Sequence, residues 1–599
     1  MSARLPDARQ PGRWWLVVNP HRQDSTIQVF AEGLAPDVEV HDGPLTVALA
    51  GIATSAGGSG RWHASQLADR LAGAKEGETL SFLSGLRGAF ALITWDRASA
   101  TMCCVRDPMG MHPLYWARAG TALVVSPWMD GPLRHPGVPR NVDPTIALAH
   151  VLSVSSRPYE TLFAAVRRVP AGCLLEAGDR GDSLRRYWNP LSHTRGGDAG
   201  SRFAAALGDA VSRAAKRGRI GVFLSGGLDS ATVAAAAREV SRSAGLPPPV
   251  GLSIVFSDTR ADESSTQRRI AAELGLASVM MPLAELTRGA LLTTAVHGAA
   301  SAPYPPGLLQ PAYRRLAQLG EREGCRTILT GDGGDEWLLP PRTYAADRLM
   351  SGDFLALWEL ARAWYWYAPE ATVGSVATGV LWRWGVRPIA RAQAARALAR
   401  WSPTAVRRVR RDSVLGGLPA WVAPEAGLRE RFLDWALEVT PEVTARSAFA
   451  RDRRALLDDI FSSWTMEQAF DEARRFGVPI EMPLLDPDVV TMTVSVDPAR
   501  LVRGGRAKAL AVELLARDVP WAPHWPRTVY GDSIWESAVA REGLEAFELV
   551  DGVRLLDSLG VVDADLMRRL LRERSPSARS DAALIERAIT LDAWLRPRV

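Results

Sequence analysis

The sequence predicts an α/β protein of two domains, a β-rich domain over residues 1–195 and a parallel-sheet domain over 196–599 that ends in a helical part. Three observations predict it. At 599 residues the chain is too long for one hydrophobic core. Its first third consists of short apolar runs cut by Gly, Pro and Asp. Beyond residue 200, apolar strands and helical segments alternate, which is the rhythm of βαβ units.

In chain order, "TLSFLSGLRGAFALITWD", "TMCCVRDPMGMHPLYWARAGTALVVSP" and "VRRVPAGCLLEAG" supply the strands of the first domain. The polar, glycine-rich "NPLSHTRGGDAG", Asn189 to Gly200, marks the boundary, and helix-like "SRFAAALGDAVSRAAKRG" follows. "RIGVFLSGGLDSATVAAAA", "PPVGLSIVFS" with "DESSTQRRIAAELG", and "CRTILTGDGGDEW" carry the parallel sheet. From Asp353 onward the pattern is mostly helical, without an internal repeat or a sustained heptad.

Composition excludes several classes. Hydrophobic residues at 47% and charged residues at 23% argue against disorder, and no apolar run approaches the ~18 residues needed to span a bilayer, so a soluble protein without membrane contact is expected. The leading "MSARLPDARQPGRWWLVV" lacks the apolar core of a signal peptide. Cys103, Cys104, Cys173 and Cys325 have no metal-ligand spacing, which fits a reducing cytoplasm. A net charge of +5 is no nucleic-acid footprint, although the basic residues are skewed: only Lys75, Lys216 and Lys508 are lysines among 71.

The stretch Ile220 to Ala237 carries the first chemistry. A short buried strand breaks into Ser225, Gly226 and Gly227 and restarts as a helix, so several backbone N–H groups converge at a helix N-terminus and favour an anion such as phosphate. Asp229 and Ser230 lie in the first turn, where a carboxylate reads either as a helix-start residue or, beside a polyphosphate, as a Mg²⁺ ligand. Neither a Walker A loop nor a dinucleotide fingerprint fits the spacing. The string resembles the S-G-G-x-D-S pyrophosphate loop of ATP pyrophosphatases, which cut ATP between the α and β phosphates and leave AMP on a substrate.

Three further strings extend the resemblance over most of the chain. "LRGAFALITWD" with "RDPMGMHPLYW" is similar to the N-terminal glutamine-amidotransferase sandwich domain of asparagine synthetases, "LTGDGGDEW" to their second nucleotide loop, and "PIEMPLLDPDVV" to their later "PFLD" segment. The chain is thereby identified as a member of the asparagine synthetase-like superfamily, with an ATP-pyrophosphatase-like synthetase domain. The resemblance implies ATP and Mg²⁺. It places Mg²⁺ carboxylates at Asp229 and Asp335, and adenine and ribose contacts at Leu224, Ile254, Gly331 and Asp332. Asp332 stands where relatives carry glutamate or tyrosine, so a base near the incoming amine is one reading of it. For the lysine that relatives place in a late loop, "WPRTVYGDSIW" offers Arg527; Lys508, which resembles a more peripheral family position, is the alternative. Glu481 either orients one of these cations or pairs with an arginine.

One departure selects the branch. Glutamine-using members expose a catalytic cysteine at the mature N-terminus, whereas position 2 here is Ser2 and the segment that follows it, up to Trp14, is Arg- and Pro-rich. The glutaminase is expected to be inactive and nitrogen to come from another amine. Branches without this cysteine resemble β-lactam synthetases and lasso-peptide cyclases, and "VRRVPAG", "YPPGLL" and "GDGGDEWL" resemble the cyclases most. That resemblance implies a cytoplasmic ligase that adenylates an Asp or Glu side chain of a core peptide and closes a macrolactam on its N-terminal amine, with a precursor peptide, a leader peptidase and a leader-binding protein as partners. The alternatives are a small-molecule amide ligase and a non-catalytic scaffold that binds the precursor. The scaffold has no need of two metal carboxylates. Nine arginines between Arg383 and Arg411 follow the aromatics Trp358, Trp364, Tyr365, Trp366 and Tyr367; they read as a solvated helical face or as a docking surface.

Overall fold

The computed structural model describes residues 13–18, 27–32, 38–55, 60–154, 156–178, 181–192, 197–258, 261–302, 304–365, 371–391, 393–394, 411, 415, 417–439, 448–459, 464, 466–470, 478–525, 532–574 and 581–599. Ser2, Arg527, Trp366, Tyr367, most of the arginine-rich run and the boundary at 195/196 lie outside them.

The N-terminal part is built from two antiparallel sheets. One has the strand order Arg167–Arg168, Tyr115–Ala119, Ala122–Ser126, Arg13–Val18, Ile27–Glu32; the other runs Gly181–Arg186, Cys173–Gly178, Thr101–Arg106, Phe90–Asp96, Leu45–Gly51, Val38–His41. Period-two alternation sorts their side chains. Trp14, Leu16 and Val18 from the first sheet meet Ala48, Ile93, Trp95, Met102 and Cys104 from the second in a shared core. The residues between them point outward: Val47, Leu49, Phe90 and Leu92 join Leu67 on one side and Trp337 and Met482 from the later part of the chain. The sandwich is therefore packed directly onto the second part. The Arg87 guanidinium, donating to both Asp488 oxygens at 3.1 and 2.8 Å, crosses the same junction. All four cysteines are free, and Cys104 serves the sandwich core as a small hydrophobe.

The second part holds a five-stranded parallel sheet in the order Ala277–Pro282, Val250–Val255, Ile220–Phe223, Thr327–Leu329, Ile480–Glu481. Ile220–Phe223 is the first of these in the chain and lies in the middle. The next two strands add on one side, and the chain then returns to pair Thr327 with Ile220 on the other. This order creates a switch point between Ile220–Phe223 and Thr327–Leu329, where the following loops diverge and leave a crevice at the carboxyl ends. Helices cover both faces: Ala199–Ala215 and Leu228–Ser243 on one, Gln310–Arg322 on the other.

Beyond Asp353 helices dominate, ending in Asp532–Leu549, Ala564–Arg572 and Ala582–Leu595, which pack against the outer face of the sandwich. The aromatic cluster is partly consumed by packing. Trp364 meets Trp384 edge-on at 5.1 Å with Arg342 over both rings, while Trp358 stays half exposed. Among the described residues no helix is long and apolar enough to cross a membrane.

Candidate active site

The loop after Ile220–Phe223 is shaped by its small residues. Gly226 has φ +92°, and a Cβ there would lie 2.9 Å from Glu263 Cβ, so the turn requires glycine. Hydroxyls tie the loop together: Ser225 N–H donates to Ser230 Oγ at 3.2 Å, Gly227 N–H to Ser225 Oγ at 3.2 Å, and Ser230 O–H to the Gly227 carbonyl at 3.0 Å. Gly227 then caps Leu228–Ser243, whose first N–H groups face the crevice.

The second loop, after Thr327–Leu329, approaches the first so closely that glycines are obligatory. A Cβ on Gly331 would come within 2.7 Å of the Ser230 nitrogen, and one on Gly334 would overlap the Asp229 carboxylate. This contact brings Asp229 and Asp335 to one point. Lys508 meets them there: its buried ammonium bonds the Asp229 carboxylate and lies 2.7 Å from Asp335 Oδ1. Lys508 sits in the left-handed region at φ +56° just before the helix Ala509–Leu515, a conformation that costs a non-glycine residue on the order of 1 kcal/mol or more.

The electrostatics leave this cage short of positive charge. Among the described residues one cation serves two carboxylates, with Asp332 and Glu336 nearby, and the buried Asp229 Oδ1 has no hydrogen-bond partner. Burial, reinforced by Asp335 and Asp332 against the pull of Lys508, pushes Asp229 up to about 6. Burial likewise raises Asp332, which accepts a 2.6 Å hydrogen bond from Thr330, and Glu336. The donor set fits Mg²⁺, which takes one or two carboxylates and fills its remaining positions with phosphate oxygens and water. Among the described residues no group of three or more His, Cys, Asp or Glu could hold a metal ion.

A cavity of about 520 Å³ lies over the two loops, within the usual range for small-molecule sites. Ser225, Gly227, Asp229, Ser230, Gly331, Asp332 and Asp335 all line it. Leu224 and Ile254 do not: both are packed in the core on either face of the sheet, and Phe223, one residue earlier, turns to the cavity and stacks at 5.2 Å on Tyr313. Their side chains are thus in the core, and only their backbone is left to approach a base.

Two further placements decide between alternatives the sequence left open. Glu481 lies between Ile480 and Met482, which line the cavity; as the middle residue of an extended segment it points away and pairs with Arg217. It does not orient Lys508. Lys508 in turn is central rather than peripheral. The signal that could have raised it was its rarity, one of three lysines in a chain that otherwise uses arginine. Tyr313 and Gln310 line the cavity without any sequence motif that singled them out for it, and Glu336, inside "LTGDGGDEW", lines it as well.

Comparison with known proteins agrees with this geometry. Residues 202–596 match the asparagine synthase family, and residues 72–188 match the glutamine amidotransferase domain. Amidase chyE of Penicillium rubens is 27% identical over 299 residues, 46% of this chain and 43% of that protein. A putative glutamine-hydrolyzing asparagine synthetase of Mycobacterium bovis is 32% identical over 26% of each chain, and glutamine-hydrolyzing asparagine synthetase 3 of Bacillus subtilis is 29% identical over 25% of this chain and 26% of its own length. The matched stretch thus spans less than half of these relatives' length.

Proposed function

The chain belongs to the asparagine synthase family, and from that premise we propose that it is an ATP-dependent, AMP-forming carbon–nitrogen ligase acting on a peptide: it adenylates an Asp or Glu side chain of a core peptide and closes a macrolactam on the N-terminal amine, as in lasso-peptide biosynthesis. The observation that carries the ligase reading is the convergence of Asp229, Asp335 and Lys508 beneath two loops at the switch point. A Mg²⁺ held by Asp229 and Asp335 would neutralise charge on the departing pyrophosphate. The chain's own contribution is positional. The Leu228–Ser243 N-terminus directs N–H groups at the phosphates, Lys508 supplies a fixed positive charge, and Phe223 with Tyr313 offers an aromatic wall.

The peptide reading is supported by the resemblance of "VRRVPAG", "YPPGLL" and "GDGGDEWL" to the lasso-peptide cyclases. Ring closure then needs the substrate's own amine held near the activated carbon, and such positioning can supply ~7–11 kcal/mol of the barrier. A leader peptidase and a leader-binding protein would deliver the core peptide. The test is incubation of the chain with ATP, Mg²⁺ and a leader-free core peptide encoded beside it. Expected are AMP, pyrophosphate and a product lighter by one water, with its N-terminus blocked and one acidic side chain consumed. Asparagine formed from aspartate and ammonia, with no effect on peptide, would favour the small-molecule ligase instead.

A further inference from the structure

A second cavity, of about 610 Å³, lies next to the first and shares with it Gly307, Leu308, Gln468 and Trp535. Its far wall is the terminal helix Ala582–Leu595, from which Glu586 faces inward, and Trp464 and His150 close another side with their rings 4.4 Å apart. Glu586 is only 3% exposed, and its Oε1 has no hydrogen-bond partner among the described residues.

A buried carboxyl oxygen without a partner costs stability, and among the described residues lining this cavity only Arg587 opposes that cost, and only in part. The neighbouring Arg587 guanidinium donates to the Val151 carbonyl at 2.8 Å. His150 is held neutral, since burial and then Arg587 lower it to about 3. Burial accordingly pushes Glu586 up to about 8, with Arg587 only partly opposing. Glu536, on the same lining, carries the wrong sign to help. A donor bearing positive charge, small at its tip and compatible with indole walls, would satisfy this oxygen and favour the ionised carboxylate.

We propose that this cavity seats a primary ammonium group of the substrate, the N-terminus of a peptide, with Glu586 as its anchor and the shared wall at Trp535 and Gln468 separating it from the nucleotide. That the seated amine is the nucleophile rests on the ligase reading above; that a primary amine binds at Glu586 does not. The arrangement puts acceptor and activated carboxyl in adjoining chambers of one site.

The test uses the full chain, with Gly-Phe-Leu amide and its N-acetyl derivative as probes, titrated by tryptophan fluorescence alongside ATP with Mg²⁺. The free amine is expected to bind about tenfold or more tighter than the acetylated peptide. Glu586→Gln, which keeps the volume and removes the charge, should erase that preference while ATP affinity stays within about twofold, and Glu586→Asp should restore part of it. Equal affinity for the two probes, no binding of the free amine at about 5 mM, or a preference that survives Glu586→Gln would overturn the proposal. A chain that keeps the amine preference but never binds ATP would remove the ligase reading and leave this one standing.

Discussion

Glu467 and Asp229 are both carboxylates sunk between distant parts of the chain, and their surroundings are opposite. Glu467 is fully buried and saturated: Arg168 donates to its two oxygens at 2.7 and 3.2 Å, and Arg106 adds a third bond at 3.2 Å. The remaining donors of Arg106 end on the carbonyls of His112, Val169 and Gly110. Every charge in that triad is answered by protein, so it rivets the sandwich to the helical part and has no capacity for a ligand. Asp229 shares one lysine with Asp335 and keeps an oxygen unpaired among the described residues. A closed set of charges reads as architecture, and an open set as a site awaiting something cationic.

The largest expected effect is at the open set. Asp229→Ala, Asp335→Ala or Lys508→Ala should each lower substrate-dependent AMP formation by about four orders of magnitude, roughly 5 kcal/mol, with the melting temperature little changed. EDTA in excess should do the same to the wild type. A variant that kept near-wild-type AMP formation would return its residue to the class of structural charges and break the contrast.

Glu467→Ala should act the other way. Two buried guanidiniums would lose their counter-charge, at a cost of about 3–5 kcal/mol in stability. Thermal and urea unfolding measure this, and AMP formation should fall only with the folded fraction. Loss of activity at unchanged stability would place Glu467 in the site after all.

Glu586 offers a test with a sign. Its carboxyl is raised from 4.5 to about 8, so between those values the folded state binds more protons than the unfolded chain, and stability falls as pH rises through that window. Glu586→Gln lacks this slope. The variant should match the wild type near pH 4.5 and exceed it by roughly 1–3 kcal/mol near pH 8, read as melting temperature against pH. Parallel curves would show that Glu586 finds a partner in solution.

How much of this was legible in the sequence depended on whether the signal was local. The Ser225–Ser230 loop could be read because a strand, a glycine turn and a helix follow one another within the same stretch. Lys508 could not be placed, since it lies 279 residues from Asp229 and no spacing links them. The strand Ile480–Glu481 is two residues long, too short for periodicity to reveal, yet it fixes which side chains on that edge meet the cavity. Which of Phe223 and Leu224 turns to the cavity could not be read either, because one residue of phase in an extended chain reverses the face. Glu586 lay in "DAALIERAIT", and its signal was the apolar character of that helix on nearly every side.

The smallest effect is expected at Glu481. In sequence it stood beside Pro483 as a residue to orient a catalytic cation, and in the structure its carboxylate is turned from the cavity toward Arg217, with both side chains about a third exposed. A pair so accessible to water is worth about 0–1 kcal/mol. Ile480 and Met482, its neighbours on the cavity side, keep their positions through backbone pairing of Ile328 with Ile480 and Leu329 with Glu481, which does not involve the Glu481 side chain. Glu481→Ala should therefore change AMP formation by less than about threefold and shift unfolding by no more than about 1 kcal/mol. A loss comparable to that of Lys508→Ala would mean that Glu481 rotates into the cavity when substrate binds, and that the line between closed and open charges shifts during the reaction.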